Sequence, residues 1–318
     1  MYIGIDIGGT KCAVVKGRKR KDGEIEILEK IRFETTNKDE TLEKIFGAVE
    51  SLMPCEKIGV SCGGPLDEKR GIILSPPNLP GWDEVHITEM LEERFGVPAR
   101  ICNDANACAL AEWKFGAGKG CSNMVFMTFG TGLGAGLIID GKLYSGTNGM
   151  AGEAGHVRLD CDGPVGYGKA GSFEGFCSGG GIAKLAKGYA KEALSQGRVA
   201  FCAETEAETR DITAKKIADM AKAGDADALK IFEISAEKLG MGLSVLIDIL
   251  NPERIVLGGI YTRCEELFLK KMREVLEREA LSESLSVCEI LPASLGESIG
   301  DVAALAVADS IECYWRRK

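Results

Sequence analysis

The chain has no C-x-x-C pair, although it carries twelve cysteines in 318 residues. The cysteines are scattered, and many stand in apolar company, as at Cys12, Cys102, Cys108 and Cys288. They read as reduced, small core hydrophobes of a cytoplasmic protein rather than a disulfide framework. Nor does any apolar run approach the ~18 residues of a membrane span. No secretory signal is expected ahead of Asp6, because a phosphate-type motif begins there. Positive charge is in deficit: the net charge is −9, which argues against broad attraction to nucleic acid or anionic lipid. The basic run Lys16-Gly17-Arg18-Lys19-Arg20-Lys21 is the exception. It lies between Val15 and Ile25 and reads as a solvated hairpin tip. No linker or low-complexity segment separates the two halves. The length and a 45% hydrophobic content suit two domains with a sizeable core.

What is present begins at the N-terminus. Ile5-Asp6-Ile7-Gly8-Gly9-Thr10-Lys11 lies between the apolar runs Tyr2–Ile5 and Cys12–Val15. Strand, Gly-Gly-Thr turn and strand make a hairpin with a polar tip. Gly8 and Gly9 let backbone N–H groups approach a bulky anion. Thr10 adds a hydroxyl and Lys11 a charge, and Asp6 can reach a hydrated Mg²⁺ beside the same phosphates. An ordinary tight hairpin is the bland alternative. The pattern then returns: Val125–Phe129, Gly130-Thr131-Gly132-Leu133-Gly134, Ala135–Ile139, with Thr128 where the first copy has Asp6. Repetition of a supersecondary unit points to two related lobes around one nucleotide. Neither copy has the P-loop spacing, and neither opens a helix as a dinucleotide fingerprint does.

Strands are expected over 2–15 (two) and 25–33, a helix over 39–53, a strand over 57–61 and a loop over 72–82. A helix capped by Thr88 runs to Phe95. Ala99–Asn103 reads as a strand and Asn106–Phe115 as a helix, so strand–helix alternation gives an α/β domain. Asp104 falls between these two, either at a strand's carboxyl end, where α/β sites form, or as a mere N-cap. The glycine-rich stretch 146–181 has few helix signals. Residues 182–194, 213–250, 262–280 and 301–311 read as helices, and 255–257 and 286–292 as strands.

These motifs together resemble the ROK family of sugar kinases, over essentially the whole length. The resemblance rests on Asp6–Lys11, Gly63-Gly64-Pro65, Ser75–Trp82, Asn103-Asp104, Gly130–Gly134, Gly152-Glu153-Ala154-Gly155-His156, Glu174 and Gly258-Gly259. It implies an α/β fold of the two-lobed actin-like ATPase/hexokinase (ribonuclease H-like) class, with duplicated mixed-sheet domains around a central cleft. The smaller lobe would span 1–116, joined by the C-terminal helix at about 301–318, and the larger 117–300. It also implies an ATP-dependent kinase of hexoses acting at the 6-hydroxyl, and a homodimer. ROK regulators carry a helix-turn-helix ahead of this region, for which Asp6 leaves no room; this favours the kinase branch.

On that resemblance Asp104 becomes the general base. Gly64, Asn78, Asn103, Asp104, Glu153, His156 and Glu174 take the sugar-contacting positions. Asp6, Gly8, Gly9, Thr10, Lys11, Gly130, Thr131, Gly132 and Gly134 take the phosphates, and Gly258 and Gly259 let adenine-ribose lie against backbone. Read on spacing alone, Glu153 would be a surface carboxylate and His156 a structural histidine. Glucose is the first acceptor; N-acetylmannosamine, N-acetylglucosamine, fructose and allose stay open. ATP is favoured over polyphosphate because a long polyanion would want a basic groove. A sugar-binding regulator without catalysis and an actin-like ATPase are the competing classes.

One departure stands out. Many ROK kinases hold a structural zinc with that histidine and a Cys-x-Cys-Gly-x-x-Gly-Cys-x-Glu segment. Here the segment reads Val165-Gly166-Tyr167-Gly168-Lys169-Ala170-Gly171-Ser172-Phe173-Glu174. All three thiolates are gone, and a structural zinc needs four donors. No zinc is expected, and Tyr167 and Phe173 are expected to pack in its place.

Overall fold

The structure, a computed structural model, describes residues 1–311. From residue 312 the C-terminal helix expected over 301–318 lies outside the described residues. The chain divides into two compact units. Unit 1 comprises Met1–Phe126, Gly136–Ala151 and the chain from Ser294; unit 2 comprises Met127–Ala135 and Gly152–Ala293.

Unit 1 opens with an antiparallel meander, β1 (Tyr2–Ile7), β2 (Lys11–Lys19) and β3 (Ile25–Glu34). After α1 (Lys38–Leu52), β4 (Lys57–Cys62) pairs parallel to β1. The short β5 (Leu66–Asp67) and β6 (Ile72–Ile73) precede α2 (Ile87–Phe95), β7 (Ala99–Asn103) and α3 (Asp104–Phe115). The resulting sheet has the order β3-β2-β1-β4-β7, which leaves β7 at an edge. One face buries Ile3, Ile5, Ile45, Val49, Ile58 and Ile101. Across the sheet backbone lies α10 (Ile299–Asp309), in close contact at two glycines. A Cβ on Gly59 would stand 2.2 Å from the Ala304 carbonyl oxygen, and one on Gly4 would stand 2.9 Å from the Ala304 Cβ. The alanine run of the last helix is thus matched by missing side chains on the sheet.

β8 (Met124–Met127), β9 (Ala135–Ile139) and β10 (Lys142–Tyr144) follow α3, and the second sheet has the order β10-β9-β8-β13-β14. Unit 2 continues with the hairpin β11 (Val165–Gly166) and β12 (Lys169–Ala170), then α4 (Phe173–Phe176) and α5 (Gly179–Ser195). Then come α6 (Ala214–Lys222), α7 (Ala226–Leu250), β13 (Arg254–Leu257), α8 (Ile260–Glu279), α9 (Ser282–Leu285) and β14 (Glu289–Pro292). β13 and β14 pair in parallel. Phe268 anchors this unit, with ring centroids 5.4 Å from Phe129 and 5.3 Å from Phe232. Among the described residues no helix is long and apolar enough to cross a membrane.

The structure differs from the sequence expectation at identifiable points. The boundary expected at 116/117 is not where the units divide: 117–126, 136–151 and 294–300 stay with unit 1. Two contacts inside unit 1 account for this. A Cβ on Gly136 would lie 2.5 Å from the Ala109 Cβ, so β9 lies against α3. The buried Glu112 carboxylate, also on α3, accepts the Ser294 N–H (3.3 Å) and the Leu295 N–H (2.9 Å). α3 begins at Asp104 rather than 106, because the Asn103 side chain accepts the Ala105 N–H. α5 begins at Gly179, where the Ser178 hydroxyl caps the Gly181 N–H and overrides weak glycine propensity. The span 213–250 is two helices, broken where Gly224 takes φ +88°. Thr88 is not a cap: it lies inside α2, buried, with its hydroxyl toward the Gly71 carbonyl.

Candidate active site

In unit 1 the N-terminal hairpin has the expected turn. The Gly8 N–H donates to the Lys11 carbonyl (3.2 Å), and the Thr35 hydroxyl donates to the Gly8 carbonyl (2.6 Å). Thr10 and Lys11 are exposed at the tip. Neither glycine has a positive φ. Their requirement comes from close approach: a Cβ on Gly9 would lie 2.5 Å from the Asn78 carbonyl oxygen. The turn assigned to phosphate thus touches the loop assigned to sugar.

The sugar-type residues of unit 1 gather there. A Cβ on Gly63 would lie 3.7 Å from Asn78 Nδ2 and 3.9 Å from Asp104 Oδ2, and one on Gly64 would lie 3.4 Å from Asn103 Nδ2. Asp104 opens α3 at the carboxyl end of β7, with its Oδ1 accepting its neighbour's N–H (Ala105, 2.8 Å). Its side chain reaches solvent, yet dense protein surrounds it. Desolvation by that surround pushes its carboxyl above the ordinary carboxylate range, and the Ala105 N–H partly opposes this. A carboxylate raised in this way is a better proton acceptor than a free aspartate.

Asp6, on β1, is pushed up to about 6, first by burial and then by the carboxylates of Asp301 and Asp104; Lys30 and Lys11 oppose. Asp301 is itself ion-paired to Lys30. Among the described residues no three His, Cys, Asp or Glu side chains gather into a metal cage. A hydrated Mg²⁺ on nucleotide phosphates does not need one, since phosphates and waters supply most ligands. An under-compensated carboxylate such as Asp6 fits that role.

In unit 2 the second hairpin closes through Thr128: its hydroxyl accepts the Gly134 N–H (2.9 Å), and its own N–H donates to the Gly134 carbonyl (2.9 Å). The Gly130 N–H donates to the Gly132 carbonyl (3.1 Å), and Thr131 is exposed. Glu174 sits in the first turn of α4, capped by Ser172. Its Oε2 accepts the Leu133 N–H (3.1 Å), so this carboxylate props the glycine hairpin. Glu153 precedes a 3-10 turn, Ala154–His156, that His156 closes, and both are exposed. A Cβ on Gly155, between them, would lie 2.1 Å from the Leu133 carbonyl oxygen. The sugar-type residues of unit 2 are thereby tied to its phosphate-type hairpin.

Gly258 and Gly259 also meet that hairpin. The Gly258 N–H donates to the Met127 carbonyl (2.9 Å). Gly259 has φ +62°, and its Cβ position lies 2.1 Å from the Phe129 carbonyl oxygen. Glycine is required here by packing on the strand end. The segment lacking zinc thiolates forms the β11–β12 hairpin, with Tyr167 (φ +43°) and Gly168 (φ +77°) at its turn. The Tyr167 ring stands edge-on to His156 at 6.2 Å, and Lys169 Nζ donates to the His156 carbonyl (2.8 Å). Phe173 is instead core, pressed on Gly242 of α7.

A cavity of about 740 Å³ in unit 2 is lined by Lys184, Tyr189, Arg198 and Lys230, among others, and by none of the motif residues. Its cations are engaged within the protein: Lys184 with the Val165 carbonyl (2.7 Å), Arg198 with Asp227 (3.1 Å), Lys230 over the Tyr189 ring. Sequence reasoning missed Glu68, Glu112 and Asp301, acidic residues that act through backbone and neighbouring charges and carry no motif of their own.

The ROK family model matches residues 2–311. A glucokinase of Halalkalibacterium halodurans is 32% identical over 314 residues, covering 94% of this chain and 92% of that one. The structure of a ROK family glucokinase from Streptomyces griseus, in complex with glucose and AMPPNP, superposes with a TM-score of 0.76. It is 33% identical and covers 97% of this chain and 99% of that one. A xylose repressor of Caldicellulosiruptor bescii is 34% identical over 225 residues, 70% of this chain and 55% of the repressor. The fold is thus the α/β actin-like ATPase/hexokinase class.

Proposed function

The chain belongs to the ROK family, and from that premise we propose that it is an ATP-dependent hexose 6-phosphotransferase with glucose as acceptor and Asp104 as general base. Similarity to glucokinases supports a sugar kinase. The observation that carries the finer reading is the convergence of Gly63, Asn78, Asn103 and Asp104 next to the Gly8-Gly9 turn. A basic carboxylate there can accept the proton of a hydroxyl that neighbouring amides hold in place.

Asn78 and Asn103 offer amide groups that bond vicinal hydroxyls, and Gly64 admits the ring edge. Glu153, His156 and Glu174 supply further sugar contacts. As the 6-oxygen bonds to the γ-phosphorus, the bond from that phosphorus to the β,γ-bridging oxygen breaks and ADP leaves, while the hydroxyl proton passes to the Asp104 carboxylate, which contributes about 10²–10⁴-fold in rate. The remaining task is positioning and charge neutralisation. Gly8, Gly9, Thr10, Lys11, Gly130, Thr131, Gly132 and Gly134 serve the phosphates, and Gly258 and Gly259 the nucleoside. Mg²⁺, when bound with the nucleotide, neutralises phosphate charge, and Asp6 would hold it through water. Glucose and AMPPNP in the Streptomyces griseus relative support these substrates over polyphosphate and over other sugars.

A homodimer and a cytoplasmic location complete the reading. Exposed Ile249, Leu281 and Val287 in unit 2 support the former as surface a second copy would cover. The xylose repressor similarity favours a second reading, a sugar-binding regulator.

One experiment separates them: ADP release with Mg-ATP across hexoses and N-acetylhexosamines, for wild type and Asp104→Asn. Glucose-dependent turnover lost in the variant supports the kinase. Calorimetric sugar binding with no turnover on ATP or polyphosphate supports the regulator.

A further inference from the structure

Glu68 stands in Asp67-Glu68-Lys69-Arg70, a run that in sequence reads as a solvated charged turn. In the structure its side chain is turned inward, and the residue is only 9% exposed. Oε1 accepts the backbone N–H of Asn103 at 2.8 Å and faces the Asn106 amide at 3.5 Å. Oε2 accepts the Ser145 hydroxyl at 3.3 Å.

The topology explains why a carboxylate belongs here. β7 is an edge strand, paired to β4 on one side only. An edge strand presents N–H groups that no ladder satisfies, and a buried unpaired N–H is costly. Glu68 satisfies the N–H at the last residue of the strand. One peptide plane is fixed by that bond, between Cys102 and Asn103. From it hang the Asn103 amide, the cap on Ala105 and the first residue of α3, Asp104. Asn106 has an amide nitrogen toward Glu68 and a buried oxygen without a partner among the described residues, so the carboxylate also sets that side chain's orientation.

We propose that Glu68 is the positioning residue of the Asn103–Asp104 turn, holding the base and its neighbouring amide in register for the acceptor hydroxyl. This rests on the kinase reading of Asp104. Glu68 touches no reacting atom; it acts through the Asn103 peptide. Misplacement of a reacting group by about 1 Å can cost 10²-fold.

The test is steady-state kinetics with hydrogen exchange on Glu68→Ala, Glu68→Gln and Glu68→Asp in the full chain. Glu68→Ala lowers kcat by about tenfold or more, with KM for Mg-ATP within about twofold of wild type. Amides 103–106 exchange faster in it, while those of α7 do not. Glu68→Gln keeps an acceptor for Asn103 and returns kcat to within about threefold. A purely structural role would lower the melting temperature without this kcat-against-KM split or rescue. Wild-type kcat and unchanged exchange in Glu68→Ala would overturn the proposal. If Glu68→Ala does not fold, Glu68→Asp takes its place: the shortened acceptor loses kcat, and wild-type kcat there overturns it equally. If wild type itself turns over no hexose, the kinase reading has failed, and exchange at 103–106 alone decides whether Glu68 positions the turn.

Discussion

A Cβ on Gly9 would lie 2.5 Å from the carbonyl oxygen of Asn78 and 2.8 Å from its Cβ. The two residues come from motifs assigned to different ligands, phosphate and sugar, yet they share one contact surface. Gly9→Ala must therefore displace the Asn78 backbone. Overpacking of this kind costs about 1–3 kcal/mol. The expected outcome is a lower melting temperature together with a raised KM for hexose, measured by thermal unfolding and steady-state kinetics. A rise in KM for ATP alone would mean that the contact does not carry Asn78.

Asp6 gives a pH dependence with a definite sign. Its carboxyl is pushed up to about 6 by burial, then Asp301 and Asp104, whereas an unfolded aspartate titrates near about 3.9. The folded state thus binds this proton more tightly than the unfolded state. Its contribution to stability is full below about pH 4 and is lost as pH rises through about 6. At neutral pH the ionised side chain opposes folding by at most about 3 kcal/mol. Asp6→Asn, free of nucleotide and metal, is expected to melt higher than wild type at pH 7.5, with the gap closing toward pH 4.5. Its activity is expected to fall. Melting curves across pH check this, and a gap independent of pH would refute it.

Both glycine hairpins and the Asn103-Asp104 turn were legible because each is local: turn chemistry and period-2 apolar runs within about ten residues. The unit division was not. It depends on Glu112 reaching Ser294 and Leu295, a contact 183 residues apart in the Leu295 case. Glu68 was hidden for the opposite reason. Its neighbours in sequence are charged, and only the edge position of β7 makes an inward carboxylate favourable. Gly259 was legible as glycine but not as to cause, since its neighbour Phe129, just past the end of β8, is distant in sequence.

Gly59 illustrates the same limit and yields a stability prediction. Nothing in Ile58-Gly59-Val60 marks it as more than a strand glycine, yet its Cβ position is 2.2 Å from the Ala304 carbonyl oxygen and 2.4 Å from the Ala308 N. Both neighbours are helix backbone, which cannot rotate away as a side chain can. Gly59→Ala is expected to cost about 3 kcal/mol, the upper end for overpacking. Chemical denaturation would show this as a lower midpoint at unchanged slope.

Glu174 separates two roles that motif reading merges. One carboxylate oxygen accepts the Leu133 N–H, and Leu133 is buried. Removing the acceptor leaves that N–H unpaired, at a cost of about 1–3 kcal/mol where no water replaces it. Leu133 lies within the second glycine hairpin, so the penalty falls on the phosphate side as well as on the sugar. Glu174→Ala is therefore expected to raise KM for Mg-ATP about fivefold or more, alongside KM for hexose. Glu174→Gln, which keeps an acceptor oxygen, is expected to restore KM for Mg-ATP more than KM for hexose. Bisubstrate kinetics on the two variants resolve the roles. A Glu174→Ala enzyme with only its hexose KM changed would show that the Leu133 bond does not shape the phosphate hairpin.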